Sequence, residues 1–360
     1  MGPARQLGGF GCKMEGGPLS SKALGPEQAV AGVEMARRPS KPKLLDQVRE
    51  RMRLLRYSPA TAKAYISWIR KYILYHGKRH PSELGEREIG VFLTHLAKQL
   101  HLSASSQNQA LSALLFLYRK VLSIPLDDRI DLIRARRPKH IPVVLSKEEV
   151  QMVLDGMKGV PRLAAQLLYG TGMRIKECIK LRVSHIDFSN QWIMIVDGKG
   201  AKDRVTLLPK SLRKPLENHL QDVERLHNRD LKRGFGAAYL PDALHVKYPS
   251  ASHDFRWQFV FPSARISSDA KSGFRGRWHM SSATISKQMA LAASKAGIAK
   301  RVTPHVLRHC FATHLLDGGA DIRLVQSLLG HKHVTTTMVY AHLVDSRRAL
   351  LESPVDDIFS

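Results

Sequence analysis

Two arginines occupy settings suited to phosphate chemistry. Arg174 ends the string Gly170-Thr171-Gly172-Met173-Arg174, and Arg308 lies within His305-Val306-Leu307-Arg308-His309. A single arginine is ordinarily a salt-bridge partner or a snorkelling surface residue. Two planar guanidiniums converging on one anion would instead hold both non-bridging oxygens of a phosphate, which a lysine does less well. Arg308 leads into Phe311-Ala312-Thr313-His314-Leu315-Leu316, an apolar helical run, so it projects from a helix packed into a core. Histidines crowd the same end of the chain: His305, His309, His314, His331, His333 and His342. A zinc site competes for them, since His305 and His309 lie four apart on one helical face, but no acid follows the first as in a zinc-protease helix. His331 falls just past a helix that stops at Gly330, and Tyr340 lies nine residues further on.

The elements that must position these residues are legible in the local patterns. Ser146-x-x-Glu149 is a capping box that opens a helix and a second domain. Residues 160–168 and 174–181 read as helices, and 192–196 and 205–208 as strands. The strands are joined through Asp197-Gly198-Lys199-Gly200, a hairpin with Lys199 in its turn region. A helix is predicted over 210–233; residues 234–277 are rich in Gly, aromatics and Ser with no clear period, and helices resume near Ser281. Upstream, Leu44, Leu45, Val48, Met52 and Leu55 mark an amphipathic helix. Ser58-Pro59 starts a second helix that Gly77 stops. Patterns near 86–99 and 103–122 complete a domain of four helices. Residues 1–40, rich in Gly, Pro, Ala and Ser, read as a tail unable to offset its ordering entropy by burial.

Charge points to the partner. The chain of 360 residues carries 57 Lys and Arg against 31 Asp and Glu, a formal net charge of +26, while its 43% hydrophobic content is ordinary for a folded protein. Such an excess suits a polyanion, with an anionic membrane as the competing reading. Arg49, Arg51, Arg53, Arg56, Lys63, Arg70, Lys71, Lys78 and Arg79 share their stretch with one acid, Glu50, which favours DNA contact over a merely solvated face. A basic linker over 127–143 adds Arg129, Arg134, Arg136, Arg137 and Lys139, kept extended by Pro138 and Pro142. Cys12, Cys178 and Cys310 are too few and too far apart for a disulfide framework or a thiolate metal site, which suits a reducing cytoplasm. No apolar stretch is long enough to span a membrane, and the start has no signal-type apolar run.

Taken in order, Arg174, Lys199, His305, Arg308, His331 and Tyr340 resemble the six catalytic positions of the tyrosine recombinase superfamily. The string His305 to Leu316, His331 after Leu328-Leu329-Gly330, and Tyr340 carry the likeness, which covers about residues 43–345. Cys310 stands where a serine is common. The resemblance implies a mainly α fold with a small β-hairpin or sheet. A helical DNA-binding domain (41–126) and the linker (127–143) would precede a catalytic domain (144–345) with an insertion near 235–277 and a C-terminal tail (346–360) that packs on a neighbour.

The insertion, from Tyr239 through Pro262, is similar to the extra segment of integron integrases. Its His245, Pro249, Trp257 and Gln258, interleaved with Lys247, His253 and Arg256, suit the stacking of unpaired bases. The likeness implies a bacterial enzyme that integrates and excises gene cassettes. Its partners would be a duplex integron site and a folded single-stranded cassette site, held by a homotetramer on DNA. Tyr340 would attack phosphorus, the arginines would stabilise the transition state, His305 would exchange the tyrosine proton, and Lys199 would protonate the leaving 5′-oxygen. The phosphodiester energy is kept in the protein–DNA link, so no cofactor or metal is expected. Glu177 is expected either to orient these charges or to make an ordinary salt bridge. Alternatives are another tyrosine recombinase such as a phage-type integrase, a type IB topoisomerase, and a non-catalytic DNA-binding protein; joining of two DNA sites separates them.

Overall fold

The computed structural model describes residues 43–127, 135, 142–196, 203–240, 249–269, 273–331, 334, 337 and 338. The chain divides into two compact units, Met1–Pro138 and Lys139–Ser360.

The first unit is helical. Helices α1 (Leu44–Leu54), α2 (Pro59–Tyr75), α3 (Glu86–Lys98) and α4 (Ala104–Phe116) surround a core that includes Val48, Met52, Ile69, Tyr72, Phe92, Leu96, Leu111 and Leu114. Ser58 caps α2 by accepting the Thr61 N–H at 3.1 Å, with Pro59 in the first turn, and Gly77 leaves the helix at φ +65°. The predicted fourth helix continues instead as a wider π-helical stretch, Leu117–Leu122. There Leu117 and Tyr118 are both buried, and the Tyr118 hydroxyl meets that of Tyr72 at 3.0 Å and the Pro81 carbonyl at 2.9 Å. Within the stretch read as a linker, Ala135 is held on α4 by two 2.9 Å hydrogen bonds with the Asn108 side chain.

The second unit is built on α6 (Gly159–Thr171) and a later helix, α10 (Pro304–Asp317), which pack together, with Ala164, Leu168 and Leu307 in one core. Helices α5 (Lys147–Asp155), α7 (Ile175–Ile179), α8 (Lys210–Lys232), α9 (Ser282–Lys295) and α11 (Ile322–Leu329) complete it. The capping box at α5 forms: Ser146 accepts the Glu149 N–H at 3.1 Å, and Glu149 accepts that of Ser146 at 2.7 Å. The helix predicted over 174–181 is a single short turn, with Arg174 at its N-cap.

A three-stranded antiparallel sheet joins β1 (Ile186–Asp187), β2 (Trp192–Ile195) and β3 (Arg204–Leu207), with Ile195 opposite Arg204. Alternation puts Ile193 and Ile195 in the core and Trp192 and Met194 outside. The segment that sequence left without a period contains a second hairpin, β4 (Pro262–Ser268) and β5 (Arg275–His279). Its strands are rich in Ser and Arg, and the register shifts between Pro262 and Ile266, so no apolar alternation announces it. No described helix is long and apolar enough to cross a membrane.

Candidate active site

The site grows from the ends of three helices. α6 ends at Gly172, whose φ of +63° admits a glycine readily; a Cβ there would drive into the Phe311 ring. This tight turn brings the Gly172 carbonyl to Arg308 on α10, which donates Nη1 to it at 2.6 Å and Nη2 to the Leu329 carbonyl, at the end of α11, at 2.7 Å. Arg308 is 2% exposed. Its two bonds therefore tie together the chain two residues before Arg174 and the chain two residues before His331.

Arg174 donates Nη1 to Glu177 at 2.8 Å, and Glu177 also accepts the Arg174 backbone N–H at 2.8 Å. Glu177 is the buried pivot of the site rather than a surface partner. Its other contacts come from Arg204 on β3, at 2.6 and 3.1 Å. Burial opposes ionisation of the Glu177 carboxyl, but the hydrogen bonds from Arg204 and from the Arg174 backbone outweigh it and hold the group at about 2.

The histidines feel the arginines. Partial burial, then the charges of Arg308, Arg174 and Arg204, push the His331 imidazole down to about 4. Burial, His305 and Arg308 do the same to His309, also to about 4. His305 is lowered by desolvation and then by Arg308 and Arg174. All three rings take up a proton less readily than a free imidazole, first because they are partly buried and then because positive charge lies near them. His331 Nδ1 lies 2.9 Å from the Thr337 hydroxyl, which fixes the ring's orientation. The His305 and His309 rings pack edge to face at 4.3 Å. Among the described residues no group of three or more His, Cys, Asp or Glu could hold a metal ion. His314 is a scaffold residue: its nitrogens reach the Tyr169 hydroxyl at 2.9 Å and the Leu145 carbonyl at 3.0 Å.

The structure thus gathers Arg174, His305, Arg308 and His331. Lys199 and Tyr340 lie outside the described residues; Arg204 lies five residues after the first in the chain, and buried Thr337 three before the second. Sequence reading missed Arg204, because a lone arginine at the head of a strand carries no local signal.

The candidate DNA-contact residues fare unevenly. Arg49, Arg53, Arg56, Lys63 and Arg70 are exposed. The basic stretch is less one-sided than its own sequence window implies, since Arg49 pairs with Asp46, and Arg79 with Glu83 at 3.8 Å, both acids just beyond it. Arg136, Arg137, Lys139 and His245 lie outside the described residues. Pro249 opens a 3-10 turn, Pro249–His253. Trp257 lines an open cleft of about 650 Å³ with Ser184, His253, Asp254 and Arg256. Gln258 does not belong with it: the side chain is buried and donates to the Gly236 carbonyl at 3.0 Å, a bond that fastens the insertion.

Residues 143–347 match the phage integrase family, and residues 44–128 match the phage integrase N-terminal SAM-like domain. The chain is 46% identical over 314 residues to an integrase/recombinase of Escherichia coli, covering 87% of this chain and 93% of that one. It is 31% identical to the tyrosine recombinase XerA of Thermococcus kodakarensis, over 79% of this chain and 84% of the other. Among solved structures it shares the fold of the XerH site-specific recombinase bound to palindromic difH substrate. The TM-score is 0.57 at 20% identity, with 87% of this chain and 85% of that chain covered.

Proposed function

This chain belongs to the phage integrase family, whose members are tyrosine-type site-specific recombinases, and from that premise we propose that it cuts and rejoins DNA through a phosphotyrosyl link formed by Tyr340. The observation that carries the reading is the convergence of Arg174, Arg308, His305 and His331, where partial burial and then the charges of Arg308 and Arg174 lower His331 to about 4. Such a site is preorganised for a phosphate that gains charge on its way to a pentacoordinate transition state.

In this mechanism the forks of Arg174 and Arg308 hold the non-bridging oxygens. In the tautomer whose Nδ1 accepts from the Thr337 hydroxyl, His331 carries its proton on Nε2 and donates to the phosphate. His305 exchanges the proton of the Tyr340 phenol, a poor nucleophile while protonated, and Lys199 protonates the departing 5′-oxygen. Oxygen–phosphorus bonds are exchanged one for one, so rejoining needs no ATP.

The finer reading is an integron integrase acting on a duplex site and a folded single-stranded cassette site as a tetramer. Its support is the inserted segment, with Trp257 beside an open cleft that His253 and Arg256 also line. The exposed bases of α1 and α2 suit the backbone of the duplex.

The test of the chemistry is Tyr340→Phe, which removes only the attacking oxygen. It should leave DNA affinity within about twofold and abolish the covalent complex on denaturing gels; an adduct that persists removes Tyr340 from the role. For the finer reading, Trp257→Ala should weaken folded single-strand binding by about five- to a hundredfold relative to duplex binding. An unchanged ratio leaves a general site-specific recombinase.

A further inference from the structure

Arg204 heads β3, five residues after Lys199 in the chain, yet its side chain is only 9% exposed. Its guanidinium reaches both Glu177 oxygens, at 2.6 and 3.1 Å, and Nε donates to the Leu328 carbonyl at 3.0 Å. Its stem passes against the end of α11: a Cβ on Gly330, which sits at φ +65°, would lie 2.7 Å from Arg204 Cδ. The glycine that ends the helix therefore also admits the arginine.

Glu177 is the carboxylate that Arg174 uses as well, and the division between the two arginines is unequal. Arg204 takes both oxygens with its side chain, while Arg174 gives one side-chain N–H and remains 29% exposed. The carbonyl held by Arg204 Nε, that of Leu328, is one residue before the Leu329 carbonyl that receives Arg308. One side chain thus bears on both arginines of the phosphate site.

We propose that Arg204 is a positioning residue: it occupies Glu177 so that the Arg174 guanidinium stays turned to the phosphate, and it pins the end of α11 from which Leu329 orients Arg308 and His331 follows. The inference rests on the recombinase reading given above. Without Arg204, the buried carboxylate would have Arg174 as its remaining guanidinium partner and would draw it into a two-pronged pair, because a buried charge left half-satisfied is costly. The Leu328 carbonyl would lose its donor at the same time.

The test uses the full chain and a nicked duplex selected from a random-sequence pool by covalent capture on the parent protein. Two versions of that duplex are compared: the ordinary phosphodiester and one with a neutral methylphosphonate at the cleaved position, which asks less of a guanidinium. Arg204→Met should slow cleavage of the phosphodiester by about a hundredfold and of the methylphosphonate by less than about tenfold. Adding Glu177→Gln should recover at least about tenfold of the lost rate, since a neutral amide does not capture Arg174. A merely structural role predicts equal losses on both substrates and a double variant no faster than Arg204→Met. Either result, or an Arg204→Met rate within about twofold of the parent, overturns the proposal. Should circular dichroism find Arg204→Met unfolded, Arg204→Lys keeps the charge without the fork, and the ratio of the two substrates is read on it in the same way. A parent that captures no duplex overturns the recombinase reading, and this proposal with it; a parent that cleaves beside an unaffected Arg204→Met overturns the positioning role alone.

Discussion

Buried arginines organise two regions of the second unit, and the regions differ in what balances the charge. Where the insertion joins the rest of the unit, Arg277 meets Asp230 of α8 at 2.5 and 2.9 Å and the Ser263 carbonyl at 2.7 Å. Arg182 is held by the carbonyls of Trp257 and Tyr239 and lies 4.7 Å over the Phe259 ring. Tyr239 in turn stacks on Trp278 at 5.0 Å. Each charge there is met by a carboxylate, by carbonyl dipoles or by an aromatic face. Around Arg308 carbonyls are used again, but Arg174 and Arg204 share one carboxylate, and on His331 and His309 burial first, then neighbouring positive charge, lowers the affinity for a proton. A region whose buried charges are satisfied internally fits a scaffold; one in which two arginines share a single carboxylate fits the phosphate site proposed above.

The largest effect that would test this contrast is expected of Arg308→Met. It removes the donor from two carbonyls, so the folded state should lose about 2–5 kcal/mol by denaturant titration. Formation of the covalent DNA complex should fall by roughly 10²- to 10³-fold or more. A variant that cleaves normally would show that the positive region is structural after all.

Asp230→Ala sharpens the contrast from the other side. The side chains of Arg277 and Asp230 are 11% and 4% exposed, and removing the acid leaves a buried guanidinium without its carboxylate, a loss of about 3–5 kcal/mol. Cleavage of duplex DNA by the folded fraction should change by less than about threefold. A loss of cleavage comparable to that of Arg308→Met would erase the distinction between scaffold and receptor.

The smallest effect concerns protons. With a folded value of about 4 against an ordinary 6.5, His331 and His309 bind fewer protons folded than unfolded between those limits, so stability falls as pH drops from about 6.5 to 4. Glu177, held at about 2 against 4.5, contributes stability that is lost in a lower window, as pH falls from about 4.5 to 2. A phosphate in the site would offset the arginine field and raise the His331 value. DNA binding near pH 5.5 should therefore take up a fraction of a proton, up to about one per site, read by calorimetry in buffers of different ionisation heat. His331→Gln should reduce that uptake; identical uptake would mean that the phosphate does not enter this field.

Local information was enough for much of this. The Ser146 capping box, the Ser58-Pro59 helix start, the stop at Gly330 and the apolar run after Arg308 are each written within a few residues, because caps and amphipathic periods act over one or two helical turns. For the same reason Arg174, His305, Arg308 and His331 could be singled out from their settings. Tertiary structure decided how they are held. Arg204 bonds Glu177 across 27 residues and Leu328 across 124, and Arg277 finds Asp230 across 47; no periodicity encodes such pairings. The β4–β5 hairpin and the burial of Gln258 were hidden likewise, since their strand faces are polar and their anchors lie elsewhere in the chain. Sequence determined which side chains are available for the proposed chemistry, because residue type and short-range order are local properties. Only the packed chain decided which charges are balanced, because a buried charge is satisfied by whatever the fold brings beside it.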